Sequence, residues 1–128
     1  MAGPTRTGVL IYAKDLGPMS CFYQAVLGAR VVHADSEHQV LQSPEFQVIL
    51  HAIPPPYSHS IVIEKPPEPR EEQAIKPFFT VESLAVAEPI VEQLGGKVCG
   101  PVWPAPGMKV RNVCDPEGNI VHLRERAA

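Results

Sequence analysis

A weak internal repeat is the feature that most constrains this chain, because residues 8–32 match residues 75–99 at a constant offset of 67. The offset pairs Asp15 with Glu82, and it pairs the Leu-Gly at 27–28 with the Leu-Gly at 94–95. These are positions where a helix would open and close, and there the backbone geometry restricts the choice of residue. The repeat therefore indicates that one structural unit occurs twice.

Each copy has the residue pattern of a β-α-β-β-β unit. A β-rich run opens each copy, at 9–13 and at 77–81, and a helical segment follows it. After each helix the sequence predicts three strands, at 30–33, 39–42 and 46–53 in the first copy, and at 97–102, 109–114 and 119–124 in the second. The last two strands are joined by Asp-Pro-Glu-Gly at 115–118, a turn with glycine placed for positive φ.

The two helices are predicted from apolar spacing and from their end residues. The first carries an apolar stripe with Gly28 expected just past its end, and the stripe is formed by Met19, Phe22, Tyr23 and Val26. In the second copy Ser83 is expected to be the N-cap. Pro89 falls well inside this helix and predicts either a kink or a later start.

We interpret the 128 residues as one domain, with a first module at 6–53 and a second at 75–126. The connection at 54–74 is rich in proline and contains a short apolar island, Ile61–Ile63. We expect this linker to be ordered, because the island can pair or pack.

Composition excludes several classes of function. The net charge is −3 and the eleven Lys and Arg residues are scattered, so we expect no nucleic-acid partner. No apolar run approaches the roughly 18–20 residues that span a bilayer, and no signal peptide is visible. We expect a cytoplasmic protein in which Cys21, Cys99 and Cys114 are buried free thiols.

The chain resembles the glyoxalase/bleomycin-resistance/dioxygenase superfamily, also called the vicinal-oxygen-chelate superfamily. The residues that carry the resemblance are Asp15-Leu16, Phe22-Tyr23, Leu27-Gly28, Leu94-Gly95-Gly96 and Asp115-Pro116-Glu117-Gly118-Asn119. The resemblance implies an α+β fold in which two βαβββ modules form an open, cupped mixed β-sheet barrel. It also implies a homodimer with sites at or near the subunit junction. Enzymatic members hold one divalent metal between four strands, whereas metal-free members bind a drug such as bleomycin.

The resemblance places four metal-ligand positions on this chain, and most of them lack a ligand. Gly8 stands at the first, Lys76 or Ile75 at the second, and Leu50 at the third. His51 follows Leu50 and would need a bulge to turn to the same face. His122 occupies the last position and is able to bind a metal. We therefore expect no metal cofactor, with His51 and His122 as weak candidates for metal ligands.

Strand alternation indicates which residues would line the cup. The predicted ligand-binding set is Tyr12, Leu50, Lys76, Phe78, Trp103 and His122. Trp103 is expected in a loop that covers the cup. Alternatively, Tyr12 and Phe78 belong to the core and Lys76 is a solvated edge residue. If there is catalysis, His122 would act as an acid and Lys76 as an electrostatic clamp.

Three functions remain open from the sequence. The leading hypothesis is a metal-independent small-molecule-binding protein. The first alternative is a metal-dependent lyase, isomerase or dioxygenase that uses His122, His51 and carboxylates such as Glu64 or Glu125. The second is a non-catalytic, dimeric partner-binding module. Whether the protein is an enzyme stays open at this point.

Overall fold

The computed structural model describes residues 4–127 and divides into two compact units, one ending at Val62 and the other beginning at Ile63. Each unit contains a four-stranded sheet with a helix packed on one of its faces.

The first unit has the order β-α-β-β-β followed by a short helix. Its elements are β1 (Gly8–Ala13), α1 (Leu16–Leu27), β2 (Arg30–Ala34), β3 (His38–Gln42), β4 (Gln47–Ala52) and α2 (Pro55–Ser58). Within the sheet the order is β1-β4-β3-β2. β1 runs parallel to β4, and the other pairs are antiparallel.

The second unit repeats this connectivity. Its elements are β5 (Phe78–Thr80), α3 (Leu84–Gln93), β6 (Lys97–Ala105), β7 (Met108–Cys114) and β8 (Ile120–Arg126). The sheet order is β5-β8-β7-β6, with β5 parallel to β8. The predicted α+β fold of two βαβββ modules with mixed sheets is therefore confirmed.

α1 buries the stripe that its sequence predicts. Met19, Phe22 and Tyr23 are fully buried, and α1 packs against β3 and β4. Burying one large apolar side chain contributes roughly 1.5–3 kcal/mol, so this stripe is the main attachment of the helix. The helix ends at Leu27 because Gly28 takes the left-handed conformation, with φ of 65°.

α3 begins at Leu84, so the later start proposed for this helix is wrong. Ser83 is its N-cap, and its side chain accepts a hydrogen bond from the backbone N of Val86 at 3.2 Å. A carboxylate oxygen of Glu125 on β8 accepts from the backbone N of Leu84 at 2.7 Å. Two acceptors thus satisfy the first turn, and this stabilises the early start although Pro89 forfeits a helical hydrogen bond.

The Asp115–Asn119 turn is held together by the buried side chain of Asp115. One of its oxygens accepts from the backbone N of Glu117 at 2.9 Å and of Asn119 at 3.1 Å. The other accepts from the Asn119 side-chain amide at 2.8 Å. Gly118 has φ of 88°, and a Cβ there would collide with the carbonyl of Glu68. The turn motif is thus set by both backbone conformation and close packing.

The segment that follows Ile63 folds back onto this turn. Arg70 donates its backbone N to the carbonyl of Gly118 at 2.9 Å. The side chain of Gln73 accepts from the backbone N of Ile120 and donates to its carbonyl, both at 2.8 Å. The apolar island forms no strand, and Val62 is 78% exposed. The order of this part of the linker therefore comes from polar bonds to the β7–β8 turn.

The cysteines differ from the expectation that all three are buried. Cys114 is fully buried, Cys99 is half-buried and Cys21 is exposed on α1, and all three are free thiols. Cys21 is exposed because it lies outside the stripe that packs on the sheet. Among residues 4–127, no helix is long and apolar enough to cross a membrane.

Candidate functional site

In each sheet the helix covers one face, and the residues of interest divide between that face and the opposite one. In the first sheet Leu50 pairs with Ile11 and is fully buried with Leu41 and Val48, on the side where α1 packs. The placement of Leu50 on the same face as Tyr12 is therefore wrong, since Tyr12 pairs with His51.

His51 shares its face with Tyr12 without any bulge in β4, which pairs with β1 and β3 in unbroken register. Its ring centroid lies 5.3 Å from that of Tyr12 and 4.3 Å from that of His38. Its Nδ1 donates to the carbonyl of Ala52 at 2.8 Å. The sequence predicted that His51 would reach this face only through a bulge in β4, and that prediction is wrong.

The error comes from the length of a turn. The first hairpin closes with the pair Gln42 and Gln47, so four residues form its turn, whereas the second closes with Cys114 and Ile120 around five. Counted from each closing pair, the counterpart of His122 is Ile49, and Leu50 is one residue too late. The longer second turn contains Gly118, whose φ is 88°.

The remaining histidines of the first sheet surround Asp35 in the turn between β2 and β3. Its carboxylate accepts from His33 Nε2 at 2.8 Å, and from the backbone N atoms of Glu37 and His38 at 2.8 and 2.7 Å. These bonds, that from His33 first, hold the pKa of Asp35 well below its ordinary value. The arrangement accounts for Asp35 as a residue that shapes a turn.

In the second sheet, the face opposite α3 collects most of the predicted ligand-binding residues, and we name it the second-sheet face. It comprises Lys76 and one set of alternate residues from each strand. These are Phe78 and Thr80 of β5, Met108, Val110, Asn112 and Cys114 of β7, Ile120, His122, Arg124 and Arg126 of β8, and Lys97, Cys99, Trp103 and Ala105 of β6. Its centre is His122, which pairs with Phe78 on one side and Asn112 on the other.

His122 has a buried ring nitrogen that nothing satisfies. Its Nε2 is inaccessible to water and has no hydrogen-bond partner among the described residues. The ring lies edge-on to Trp103, with centroids 5.7 Å apart, and to Phe78, with centroids 6.4 Å apart. Burial, and then the charges of Lys76 and Arg124, lower the pKa of His122 below its ordinary 6.5. The imidazole is therefore neutral at pH 7.

Two cations flank this imidazole, and both are held by neutral partners. Lys76 Nζ donates to Asn112 Oδ1 at 3.3 Å. The guanidinium carbon of Arg124 lies 4.0 Å from the centre of the Phe78 ring, a cation–π contact. Arg124 Nε also donates to Thr80 Oγ1 at 3.2 Å. Arg124 is half-buried although it lies near the chain end, because β8 continues to Arg126.

Trp103 lies in β6, paired with Val110, so its placement in a loop is wrong. β6 continues past an irregularity between Cys99 and Trp103 and closes its hairpin at Ala105 and Met108. It tolerates two prolines because it is the edge strand of the sheet. The signal missed was the Pro-Gly at 106–107, a tight hairpin turn in which Gly107 has φ of 72°.

A shallow recess of about 290 Å³ lies beside Arg124. The other lining residues are Thr80, Gly107, Met108, Glu125 and Arg126. Arg124 thus borders both the recess and the aromatic surroundings of His122.

The residues at the four positions that the resemblance implies do not fit a divalent metal. Gly8 offers no ligand, and a Cβ there would stand 2.5 Å from the carbonyl oxygen of Gln47. Ile49 offers none because its side chain is aliphatic. Lys76 offers none because its ammonium group has no lone pair. In the described part of the chain no three His, Cys, Asp or Glu side chains are grouped to hold a metal.

The carboxylates considered as further metal ligands are not placed to help His122. Glu125 lies on the opposite face of β8, where one oxygen caps α3 and the other pairs with Lys109 at 3.3 Å. Glu64 is exposed before β5, outside the sheet. These carboxylates therefore do not complete a metal site around His122.

Known structures share the fold across nearly the whole chain. An enzyme of the glyoxalase/bleomycin resistance protein/dioxygenase family from Burkholderia phytofirmans PsJN superposes with a TM-score of 0.72 at 16% identity, over 96% of this chain and 99% of that one. The fosfomycin resistance protein FosX from Mesorhizobium loti gives 0.66 at 16% identity, over 99% and 95%. A bleomycin resistance determinant encoded on the transposon Tn5 gives 0.63 at 16% identity, over 96% and 98%.

No protein-family model matches the sequence, and no curated protein matches it either. The identities to these structures are low, so the similarity establishes the fold alone: this chain has the glyoxalase/bleomycin-resistance fold.

Proposed function

We propose that this chain uses its glyoxalase/bleomycin-resistance fold to bind a small organic molecule on the second-sheet face, without a metal. The observation that carries the proposal is the buried, unpartnered Nε2 of His122. Leaving such an atom without a hydrogen bond costs about 1–3 kcal/mol, so a ligand that supplies the bond recovers part of this cost on binding.

The surroundings of His122 support a ligand rather than a structural role. Trp103 and Phe78 offer apolar surface on either side, and Phe78 is 58% exposed. Lys76 and Arg124 add polar groups that can orient a bound molecule. Apolar walls with a few convergent polar groups are the usual composition of a small-molecule site.

The state of His122 favours a hydrogen-bonding role over an acid role. Its lowered pKa leaves the imidazole neutral at pH 7, so it has no proton to give as an imidazolium. A neutral ring accepts or donates one hydrogen bond at Nε2, depending on its tautomer. We therefore propose binding, with Lys76 as an electrostatic clamp, and no chemical step.

We also propose that the protein works as a homodimer. Leu10 is 46% exposed and Tyr12 is 60% exposed on the first sheet, on the face that α1 leaves uncovered. Contiguous exposed apolar side chains, unlike single scattered ones, mark surfaces that contact another molecule. Size-exclusion chromatography with light scattering measures the mass, and a monomer at micromolar concentration would contradict this part of the proposal.

The binding proposal is tested by a thermal-shift screen with metals, thiol conjugates and drug-like aromatics, followed by calorimetry on each hit. We expect an organic hit whose affinity falls at least tenfold in His122→Asn, since a hydrogen bond in a buried site is lost. His59→Asn is the matched control, because His59 is exposed and lies far along the chain from the strands of this face. We expect it to bind like the wild type.

Elemental analysis of protein purified without chelator addresses the metal-dependent alternative. A stoichiometric transition metal that is lost in His122→Asn would overturn the proposal in favour of a metal-dependent enzyme. Hits that bind His122→Asn as tightly as His59→Asn would place the ligand away from His122.

A further inference from the structure

We propose that the ligand of the second-sheet face is an organic anion with a flat, apolar body, with its negative group held by Arg124 and Lys76. The inference rests on the proposed function and names the chemical class of the ligand. It follows from the charges, the orientation of the cations and the shape of the apolar surface.

The second-sheet face is positive although the chain as a whole is negative. The face carries Lys76, Lys97, Arg124 and Arg126, and none of the residues that compose it is Asp or Glu. The net charge of the chain is −3. A local excess of one sign attracts a ligand of the other, and it disfavours a cationic ligand by direct repulsion.

The nearest carboxylate in sequence does not neutralise this face. Glu125 follows Arg124 and also lines the recess beside it, but its two carboxylate oxygens are bound to the backbone N of Leu84 and to Lys109. Arg124 itself contacts the neutral groups of Phe78, Thr80 and Met108. Its charge is thus oriented by these contacts and is not paired with Glu125, the one glutamate of β8.

Both cations are placed before any ligand arrives. The guanidinium of Arg124 is stacked 4.0 Å from the centre of Phe78 and is fixed through its Nε by Thr80. Lys76 Nζ has a long 3.3 Å bond to Asn112. A carboxylate would replace that weak neutral bond with a stronger, charge-assisted one. Little side-chain freedom is lost on binding, which favours affinity.

The apolar part of the site favours a flat molecule. The rings of Trp103 and Phe78 stand on either side of His122, at 5.7 and 6.4 Å between centroids, and both meet it edge-on. Aromatic groups pack well edge-to-face or offset-stacked at such distances. A planar body can therefore contact these rings, and its polar group reaches the solvent-inaccessible Nε2 of His122 when one of the two rings turns aside on binding.

The experiment compares three probes of equal shape by calorimetry, namely 2-naphthoate, 2-naphthamide and 2-naphthylmethylamine, at low and at raised salt. We expect 2-naphthoate to bind about tenfold more tightly than the neutral amide, and the cationic amine to bind most weakly. Raising the salt should weaken the binding of 2-naphthoate and leave that of the amide nearly unchanged.

Substitutions identify the cations. Arg124→Gln and Lys76→Gln should each weaken 2-naphthoate several-fold without changing the amide, and Arg124→Lys should recover part of the loss. The matched control is Lys109→Gln, which removes a cation of the same sheet from the opposite face. It should leave the affinity unchanged. Circular dichroism confirms that each variant is folded.

Two results would overturn the inference while leaving the proposed site intact. One is an amide or amine that binds as tightly as 2-naphthoate and depends on His122. The other is a His122-dependent hit from the general screen that is neutral or cationic, with no binding of 2-naphthoate. Equal effects of Lys109→Gln and Arg124→Gln on 2-naphthoate would also overturn it, because the attraction would then be non-specific.

Discussion

Replacing His122 with leucine removes a buried polar atom from an apolar environment, and we expect the free protein to become more stable. The Nε2 of His122 has no partner among the described residues, and such an atom costs about 1–3 kcal/mol. Leucine cannot reproduce the edge-on ring contacts with Trp103 and Phe78, which contribute about 0.5 kcal/mol each, the lower end for such pairs because the centroids are 5.7 and 6.4 Å apart. The balance is a net gain of about 1 kcal/mol.

The measurement is urea unfolding of the two proteins without ligand, followed by fluorescence of Trp103, the single tryptophan. Thermal unfolding gives a second readout: a gain of about 1 kcal/mol would raise its midpoint by about 4 °C in a chain of this size. His59→Leu is the control, since an exposed linker histidine should change stability by no more than about 0.5 kcal/mol. The same His122 variant should lose the affinity for ligand that the wild type has.

A loss of about 1 kcal/mol or more in His122→Leu would refute this reasoning. It would mean that the imidazole already has a hydrogen-bond partner in the free protein and is a satisfied structural group. The proposal that a ligand supplies the missing bond would then lose its main support.

Three further predictions concern single groups. Because the folded state disfavours the charged form of His122, stability should fall as the pH drops through 6.5 toward the lowered pKa, and this dependence should disappear in His122→Leu; urea titrations from pH 8 to pH 5 measure it. Ser83→Ala should lose about 1 kcal/mol of unfolding free energy, since the bond to Val86 is lost, and an unchanged midpoint would contradict the cap. Burial, together with Cys99, raises the pKa of Cys114 to about 12, so a thiol reagent at pH 7.5 should modify Cys21 and reach Cys114 only on unfolding, as mass spectrometry of labelled peptides would show.

The module pattern was predictable because it depends on local backbone geometry. Gly28 ends α1 in a left-handed conformation, and Ser83 caps α3, and both features are visible as residue types. The apolar stripe of α1 follows from its spacing. Each of these depends on contacts within one or two turns of chain, so a single sequence is enough to find them.

The errors arose where a contact depends on the number of residues in a connection. The second hairpin turn has one residue more than the first, and this shifts the register between the copies. An equal count of residues therefore gives Leu50 as the counterpart of His122, whereas the structure gives Ile49. A shift of one residue moves a side chain to the other face of the sheet. Trp103 was missed for a similar reason, since the length of β6 is decided by the position of its turn.

The charges of the second-sheet face offer a physical alternative to a metal in the proposed site. At Lys76 the chain has an ammonium at a position where the family it resembles provides a ligand to a cation, and Arg124 adds a guanidinium to the same face. A negative group on a bound molecule can be stabilised by these fixed side chains instead of by a divalent ion. A site of this kind should bind its ligand equally well after exhaustive treatment with chelator. It should also lose affinity in steps as Lys76 and Arg124 are neutralised, one at a time and then together.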